Sequence, residues 1–381
     1  MWWTVRSRWA WILASCGALA MGCEAGELSQ LPGEVTLPDY GTPTGDAGPG
    51  ADLGPMPTGD LGPGVDMGTM PMPDLGPGDP CAGVTCGAGA SCSAGSCRCL
   101  PGFIDVGGGT CEAIEPGDPA GRTEADVCDA WNAGRVENAV GGGWTEPSDM
   151  CDPGTLSAAA IEDTVRRVNM YRWLAGLDPV TDDPSQHAGD QACALMMTRQ
   201  GALSHDPGTD WACYSAAGAA AAGNSNLALG SRSSPAAIDL YMGDRGVASL
   251  GHRRWVLAPR LGQIGIGFAG RGQCLGVFDG SGSSDRSWTS YPNQGPAPIA
   301  TAQFTWSFHS NAGLRDATVE VRSGGMTLPI SVYYPGSTYG RQESIAWDPE
   351  GWTPTAGTTY EVTIGNFSGG PITYDVTLID C

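Results

Sequence analysis

Fourteen cysteines are distributed unevenly along this chain of 381 residues, and their spacing limits the folds that it can adopt. Six lie within residues 81–111, six more are spread from Cys128 to Cys381, and two precede residue 24. So many cysteines at close, irregular spacings are typical of disulfide-bonded proteins that fold in an oxidising compartment. The chain is therefore expected outside the cytoplasm, with a small disulfide-rich segment ahead of a larger region.

The first 23 residues have the features of a bacterial export signal. Arg6 and Arg8 precede an apolar run, Trp9 to Met21, that is too short to span a bilayer as a helix. The run leads into Leu-Ala-Met-Gly-Cys, which resembles a lipobox with Cys23 as the acylated residue. Cys16 fits a similar local pattern but leaves a much shorter apolar run. The sequence thus predicts a lipoprotein that Cys23 holds to the membrane, in the bacterial cell envelope or at its outer surface. An ordinary cleaved signal, which gives a secreted protein, is the alternative.

Residues 24–80 contain almost no side chains that could build a core. The unit Asp-Leu-Gly-Pro recurs at residues 52–55, 60–63 and 74–77, at spacings too irregular for a solenoid. Proline removes amide donors and glycine raises the entropic cost of ordering, so the segment is predicted to be a disordered tether. Much of the net charge of −22 lies before residue 120, and the sequence has no lysine and no basic stripe. This charge pattern argues against a nucleic-acid partner.

Order is expected to resume at Cys81. The cysteines up to Cys111 have the spacing Cys-x4-Cys-x5-Cys-x4-Cys-x-Cys-x11-Cys, with Leu-Pro-Gly-Phe after the fifth, and this pattern resembles an EGF-like module over residues 81–112. Counting alone leaves the pairing open, whereas the resemblance implies the bridges Cys81–Cys92, Cys86–Cys97 and Cys99–Cys111. Calcium is not expected, because the ligands that calcium-binding EGF-like modules place before the first cysteine are absent. A zinc cluster would lack neighbouring histidines. A rigid spacer is the expected role, with adhesion as the alternative.

Residues 120–300 have the periodicity of a larger domain. Apolar residues recur at helical spacing from Thr155 to Leu177. Asp183-Pro184 combines an N-cap with a proline in the first turn and predicts a helix to about Arg199, and Ser234-Pro235 predicts a third helix in the same way. The second helix is expected to bury Ala188, Ala192, Leu195 and Met196. Helices and strands mix without a regular β-α-β repeat, so the predicted fold class is α+β.

Period-two alternation predicts strands at residues 263–268 and 274–278 and throughout the C-terminal region. In residues 301–381 the alternation is carried by Ala317-Val319-Val321, Ile330-Val332-Tyr334, Tyr360-Val362-Ile364 and Ile372-Tyr374-Val376-Leu378. Glycine pairs supply turns between these runs. The region is therefore expected to form a small β-sandwich that packs on the preceding domain.

Four short motifs occur in order between residues 155 and 280. They are Val168-Asn169-Met170-Tyr171-Arg172, Leu203-Ser204-His205, Asn226-Leu227-Ala228-Leu229-Gly230 and Gly251-His252-Arg253-Arg254-Trp255. In this order and spacing they resemble the CAP superfamily, also called the SCP domain, which comprises cysteine-rich secretory, antigen-five and pathogenesis-related-one proteins. The Gly-His-Arg-Arg wording is similar to its bacterial branch. The resemblance implies an α-β-α sandwich with a central cleft. Two histidines and two acidic residues often line that cleft, and the histidines can hold a divalent metal such as zinc.

By motif position, His205 and His252 match the two cleft histidines and are the tentative metal ligands. Ser225 stands where many family members have a glutamate, and Asp244 is a candidate for the second acidic position. A catalytic zinc normally has three protein ligands and a water, and serine is a poor ligand and a poor general base near neutral pH. These four residues are the catalytic candidates, but a structural or weakly metal-binding role is expected ahead of catalysis.

Other polar residues near the motifs are weaker candidates. Ser204 could be a nucleophile beside a histidine base, but no strand-to-helix elbow presents it. Asp206 could add a metal ligand. Arg253 and Arg254 could clamp an anionic ligand, although paired arginines on a helix more often bind backbone carbonyls and surface carboxylates. The remaining histidines, His187 and His309, have no motif partner and are expected to be structural.

The six cysteines outside the EGF-like pattern are expected to form three further bridges. Local spacing favours Cys128–Cys151, Cys193–Cys213 and Cys274–Cys381, and other combinations remain open. A short leader around residues 127–139 is expected to pack on the α+β domain through the first of them.

The sequence features leave three alternative functions open. The first is a surface-anchored or secreted CAP-type protein that binds a lipid, a cell-wall fragment or another surface component without turnover. The second is a metal-dependent, peptidase-like hydrolase that uses His205 and His252. The third is an adhesive surface protein that acts through its EGF-like and β-sandwich modules.

Overall fold

The computed structural model describes residues 84, 86, 90–93, 95–99, 103–107, 110–113, 116–336 and 338–381. The predicted signal peptide with Cys16 and Cys23, the predicted tether and Cys81 lie outside these residues. Across the described part of the chain, no helix is long and apolar enough to cross a membrane.

The cysteine-rich segment forms two short hairpins. Strand β1 (Ala90–Ser93) pairs with β2 (Ser96–Cys99), and β3 (Phe103–Gly107) pairs with β4 (Thr110–Ala113), both antiparallel. Disulfides join Cys86 to Cys97 and Cys99 to Cys111, the two pairings that the EGF-like resemblance implied. The third implied bridge, Cys81–Cys92, involves a residue outside the described part of the chain.

Six α-helices follow in the described residues, and a polar side chain caps the start of each of the first five. They are α1 (Glu124–Gly134), α2 (Ala158–Leu174), α3 (Pro184–Gln200), α4 (Ala216–Ala222), α5 (Ser234–Gly243) and α6 (Gly251–Val256). Asp183 caps α3 through the Ser185 amide, and Gly201 ends that helix in the left-handed conformation. Helix α5 begins at Ser234 with Ser233 as its N-cap, one residue before the predicted cap.

The buried face of α3 differs from the predicted one. Ala188 is exposed and Ala192 is only half-buried, whereas Leu195 and Met196 are in the core. The buried residues of α3 are Asp190, Gln191, Cys193, Ala194, Leu195, Met196 and Met197. The difference arises because Asp190 and Gln191 face the sheet, although the apolar pattern predicts that polar side chains lie outside the core.

A four-stranded sheet lies at the centre of the α+β domain, which confirms the predicted fold class. Its strands are β7 (Thr181–Asp182), β8 (Ser225–Leu229), β9 (Gln263–Ala269) and β10 (Gly272–Gly276), in the order β7-β9-β10-β8, and a separate small hairpin joins β5 (Trp144–Thr145) to β6 (Thr155–Leu156). One apolar cluster packs α2, α5 and α6 on one face of the sheet, and a second packs α3 and α4 on the other. The layers are therefore helix, sheet, helix.

Glycines on one face of β9 and β10 allow α3 to approach closely. Ile264, Ile266 and Phe268 are buried, and Gly265 and Gly267 alternate with them. A Cβ at Gly267 would lie 2.0 Å from the backbone carbon of Asp190, so a side chain there would displace the helix. Gly272 and Gly276 of β10 face the same helix. The alternation that predicts a strand thus also marks the face that receives α3.

The C-terminal region forms two packed sheets, with bounds wider than the sequence suggested. The strands are β11 (Trp288–Tyr291), β12 (Gly295–Pro298), β13 (Trp306–Ser310), β14 (Thr318–Ser323), β15 (Met326–Leu328), β16 (Ile330–Tyr333), β17 (Glu343–Pro349), β18 (Thr359–Gly365) and β19 (Ile372–Ile379). One sheet has the order β11-β13-β17-β16 and the other β12-β19-β18-β14-β15. An apolar cluster that includes Trp306, Phe308 and Trp347 fills the space between them. The sheets begin at Trp288, not at residue 301, because β11 and β12 pair with strands of this region.

All three disulfides expected from local spacing are wrong. The structure pairs Cys128 with Cys381, Cys151 with Cys213 and Cys193 with Cys274, across 253, 62 and 81 residues of sequence. Cys193 meets Cys274 because α3 packs on β10. The leader does form a helix, α1, but its cysteine is bonded to the last residue of the chain. Proximity in the fold, not along the sequence, decides these pairings.

Candidate functional site

The arginines of the Gly-His-Arg-Arg-Trp motif are buried and bind the backbone, so they cannot clamp an anion in a cleft. The Arg253 guanidinium donates to Met242 O (2.7 Å), Thr305 O (2.7 Å) and Ser307 Oγ (2.9 Å). It also lies over the ring of Tyr291, 4.2 Å from the ring centroid. Burial lowers the pKa of Arg253 from its ordinary value.

Arg254 reaches in a different direction and holds the segment that follows β16. Its guanidinium donates to Ser249 O (3.0 Å), Gly336 O (3.1 Å) and Gln342 O (2.7 Å). Burial lowers the pKa of Arg254 to about 10. The two arginines therefore attach α6 to the C-terminal sheets, and the anion-clamp interpretation is wrong.

His252, the second residue of α6, is oriented by an acidic side chain. Its Nδ1 lies 2.7 Å from Asp244 Oδ1, and the other oxygen, Oδ2, accepts the Arg253 amide at 3.2 Å. Asp244 is the C-cap of α5, with φ at +47°, and is buried. The imidazole also stacks on the ring of Tyr241, with 5.3 Å between centroids. Asp244, which the sequence alone could not assign to the cleft, is thus in direct contact with His252.

His205 is fixed by a backbone carbonyl at the end of α4. Its Nδ1 donates to Ala222 O at 2.8 Å, because a carbonyl oxygen can only accept. The loop around it is a local turn in which the Asp206 amide donates to Ser204 Oγ at 3.0 Å. Ser204 and Asp206 do not line the cavity that His205 shares with His252.

Both motif histidines line one cavity of about 340 Å³, which we call the histidine cavity. Its lining consists of His205, Gly223, Ser225, Asn226, Val247, Ser249, Gly251, His252, Trp255, Phe278 and Tyr339. The rings of Trp255 and Phe278 contact each other at a tilt of 37°, with 4.5 Å between centroids, and Phe278 is 52% exposed. Tyr339 comes from the short 3₁₀ helix Tyr339–Arg341 after β16, so the C-terminal region contributes one wall. The lining thus combines polar side chains with three aromatic ones.

Ser225 has a buried acidic partner that sequence reasoning missed. Its Oγ lies 2.9 Å from Oδ1 of Asp190 on α3 and 2.7 Å from Ala221 O. Burial, opposed by the Ser225 hydrogen bond, raises the pKa of Asp190 to about 7. An aspartate in the middle of an apolar helix was the available signal, but only the fold shows that it faces Ser225. A carboxyl therefore lies directly behind Ser225.

The donor set does not fit a catalytic zinc centre. Both imidazoles use Nδ1 for protein contacts, as histidine ligands commonly do. However, both Asp244 oxygens are hydrogen-bonded, and a catalytic zinc needs three protein ligands. Among the residues that the structure describes, no group of three or more His, Cys, Asp or Glu side chains is arranged to hold a metal. His205 and His252 alone would leave a catalytic zinc one protein ligand short.

The other two histidines lie away from the histidine cavity. His309 is buried in β13 between two hydroxyls, with Nε2 3.0 Å from Ser307 Oγ and Nδ1 2.7 Å from Ser344 Oγ. Burial, together with the charges of Arg254 and Arg253, lowers its pKa well below the ordinary value. His187 is half-buried on α3, and desolvation lowers its pKa.

Comparison with known proteins supports one assignment. The model of the cysteine-rich secretory protein family (CAP) matches residues 165–278, a range that contains His205, Ser225, Asp244 and His252. Neither the curated proteins nor the solved structures give a significant match. The matched range also contains the four-stranded sheet and every residue that lines the histidine cavity except Tyr339. Residues 165–278 are thus identified as a CAP domain, the domain of the cysteine-rich secretory protein family.

Proposed function

We propose that the CAP domain is a non-catalytic binding module that takes an amphipathic ligand in the histidine cavity. The observation that carries this proposal is a lining that combines aromatic with polar side chains. Trp255, Phe278 and Tyr339 offer aromatic surface to an apolar chain, and His205 and Ser225 offer polar atoms to its head. A volume of about 340 Å³ is at the small end of the range typical of ligand cavities.

The polar residues of the cavity favour binding over turnover. A nucleophilic serine needs a base within hydrogen-bond reach, but Ser225 Oγ contacts a carboxyl and a carbonyl rather than an imidazole. The Nδ1 atoms of both histidines are engaged away from Ser225. Arg253 and Arg254 are occupied by backbone carbonyls, which removes the strongest argument for an anionic ligand.

The binding function is tested with 1-decanol and 1-decanesulfonate, which share a chain and differ in head group. We expect 1-decanol to bind saturably, with a blue shift of the tryptophan emission as water leaves Trp255, and Phe278→Ala to weaken its binding roughly tenfold by removing apolar contact. Met326→Ala is the matched control, because Met326 is 68% exposed on β15 and does not line the cavity. Equal binding by the native chain and Phe278→Ala, or no binding of either probe, would refute the proposal.

The metal-dependent hydrolase is the competing function, and it makes a different prediction. It requires zinc that survives mild purification and is lost in both His205→Ala and His252→Ala. Stoichiometric zinc in the native chain, together with peptidase activity that both variants lose, would replace the binding proposal with this one.

We also propose that the CAP domain is displayed on a bacterial envelope through acylated Cys23. The support is the lipobox-like sequence, together with disulfides that belong to an oxidising compartment. In a bacterial host, Cys23→Ser should move the protein from the membrane fraction to the soluble fraction, and Cys16→Ser should not. Retention of Cys23→Ser in the membrane would contradict the anchor.

A further inference from the structure

A buried carboxyl lies behind the polar part of the histidine cavity and is not explained by packing. Asp190 is 2% exposed, and its Oδ2 has no hydrogen-bond partner among the described residues. Gly265 and Gly276 leave room for this oxygen, since a Cβ on either would lie 1.9 Å or 3.2 Å from it. The other oxygen, Oδ1, contacts Ser225 Oγ. Ser225 thus separates this carboxyl from the cavity.

The contacts of Ser225 indicate where the carboxyl proton is. A serine hydroxyl has one proton and two lone pairs, and Ser225 Oγ has two oxygen neighbours, Asp190 Oδ1 at 2.9 Å and Ala221 O at 2.7 Å. The carbonyl can only accept, so the serine proton satisfies the shorter contact by pointing at Ala221 O. The contact to Asp190 is then a hydrogen bond only if the carboxyl carries a proton and donates it to Ser225.

The surroundings of Asp190 also favour the neutral acid. Burial is the largest influence on its pKa and raises it, and the charge of Asp183 at the start of α3 raises it further. A hydrogen bond donated by Ser225 to the carboxylate would lower the pKa, but the serine proton points at Ala221 O when the acid is neutral. On the α5 side the nearest titratable group is the buried Tyr241 hydroxyl, which donates to Asn226 O. The facing positions of β9 and β10 are glycines, and α4 presents alanines. No cation on these elements offsets a negative charge at Asp190.

We propose that Asp190 is a specificity-determining residue of the histidine cavity: together with Ala221 O it keeps the Ser225 proton out of the cavity in both of its charge states, so that Ser225 is a hydrogen-bond acceptor towards the ligand. When Asp190 donates to Ser225 and Ser225 donates to Ala221 O, one lone pair of the serine oxygen remains for the cavity. The polar end of the ligand is then a donor, such as a hydroxyl or an amide N–H, and not a carboxylate, sulfonate or phosphate.

Deprotonation of Asp190 does not reverse this preference. The serine proton then turns to the carboxylate, and Ser225 still presents lone pairs to the cavity. The buried negative charge also repels an anionic head group. Selection against anions is therefore expected to increase as the pH rises through neutrality. This inference rests on the proposed function for the existence of a ligand, but not for the state of Asp190.

Two measurements test the inference. The first is the infrared difference spectrum between about pH 5 and about pH 9. The native chain should show the C=O stretch of a buried protonated carboxyl that Asp190→Asn removes, whereas Asp375→Asn, at an exposed position on β19, should keep it. If no such band depends on Asp190, the inference is overturned.

The second measurement compares the binding of 1-decanol and 1-decanesulfonate at about pH 6 and about pH 8.5. Asp190→Asn should fix the low-pH arrangement, since the asparagine amide can donate to Ser225 at every pH. For the native chain we expect the preference for 1-decanol to rise roughly tenfold between the two pH values, the scale of one unfavourable charge contact in a partly buried site. In Asp190→Asn we expect the preference to stay constant.

The outcomes separate this inference from the proposed function. If 1-decanol binds but both proteins show the same preference at both pH values, the role of Asp190 is wrong and the binding function stands. If neither probe binds, the selectivity falls together with the proposed function. A pH-dependent preference in the native chain that Asp190→Asn abolishes supports both.

Discussion

Gly267 lies against the backbone of Asp190, and its missing side chain is what allows α3 to pack on the sheet. The Cβ of an alanine there would be 2.0 Å from Asp190 C and 2.1 Å from Asp190 O. Real atoms do not approach so closely, so helix and strand would have to separate. Overpacked core sites typically cost about 1–3 kcal/mol, and occasionally more.

We predict that Gly267→Ala lowers the free energy of unfolding by about 3 kcal/mol, because backbone atoms cannot move aside as a flexible side chain can. Urea-induced unfolding followed by tryptophan fluorescence measures this change. Gly189→Ala is the matched control, since its added methyl would lie 3.5 Å from Ala221 Cβ and alanine favours a helix over glycine. A loss below about 1 kcal/mol for Gly267→Ala would show that α3 is not held against the glycines.

The contributions of two buried titratable residues, Asp190 and His309, to stability change in opposite directions as the pH rises. The pKa of Asp190 is raised from 3.8 to about 7, so the folded state holds a proton that the unfolded chain has lost. Its contribution to stability is complete below about pH 3.8 and is lost as the pH rises through about 7. The pKa of His309 is lowered well below 6.5, so its contribution is complete above about pH 6.5 and is lost on acidification.

We predict that the two substitutions change the pH dependence of stability in opposite directions. Asp190→Asn should raise stability most at about pH 8, where burying the carboxylate costs most, with an upper bound of about 4 kcal/mol from the pKa difference. The advantage should shrink towards about pH 4. His309→Gln should instead reduce the loss of stability on acidification. Thermal unfolding between about pH 4 and pH 8 measures both, and parallel curves for the two variants would contradict the assignment.

At the scale of secondary-structure elements, α6 is a six-residue helix whose two arginines bind the C-terminal region. Arg253 reaches Thr305 O and Ser307 Oγ, and Arg254 reaches Gly336 O and Gln342 O. A guanidinium has five N–H donors in a fixed plane, so one side chain can serve several carbonyls, which a lysine cannot. The motif that marks the CAP domain is therefore also the attachment of the sheets that follow it.

We predict that Arg253→Leu lowers the free energy of unfolding by about 3 kcal/mol or more, since it leaves the buried oxygens of Met242, Thr305 and Ser307 without a donor. Arg253→Lys should recover only part of this loss, because a lysine cannot reach all three. Arg315→Leu, at an exposed arginine, is the control and should change stability little. Chemical denaturation gives the comparison, and similar losses for Arg253→Leu and Arg315→Leu would refute the role of Arg253.

At this scale, the sequence predicted the features that depend on neighbouring residues. It missed those that depend on residues far away in the chain. Capping residues and periodicity found α2, α3 and α5 within a few residues, because a cap and its helix are neighbours in the chain. The same reasoning missed β17 as a strand, although it is central to its sheet. The prediction that His205 and His252 share one cavity came only from the order of the family motifs. Sequence reasoning could not place Asp190 beside Ser225, since 35 residues separate them and only the packing of α3 joins them.

At the scale of the whole molecule, one disulfide joins α1, which precedes the CAP domain, to the last residue of the chain. Cys128 and Cys381 are separated by 253 residues, whereas Cys151 and Cys213 are separated by 62. The entropy that a crosslink removes from the unfolded chain grows with the logarithm of the closed loop. The longer loop should therefore stabilise the fold more, by about 1 kcal/mol on loop closure alone.

We predict that Cys128→Ala/Cys381→Ala lowers the free energy of unfolding by about 4–5 kcal/mol and that Cys151→Ala/Cys213→Ala lowers it by about 1 kcal/mol less. The second pair is a fair control, because each bridge has one exposed and one half-buried cysteine. Loss of the Cys128–Cys381 bridge also frees the end of β19, so proteolysis should begin at the C-terminus in the first variant only. If the short-loop variant were the less stable of the two, loop closure would not be the source of the stabilisation, and local packing around Cys151 and Cys213 would have to provide it.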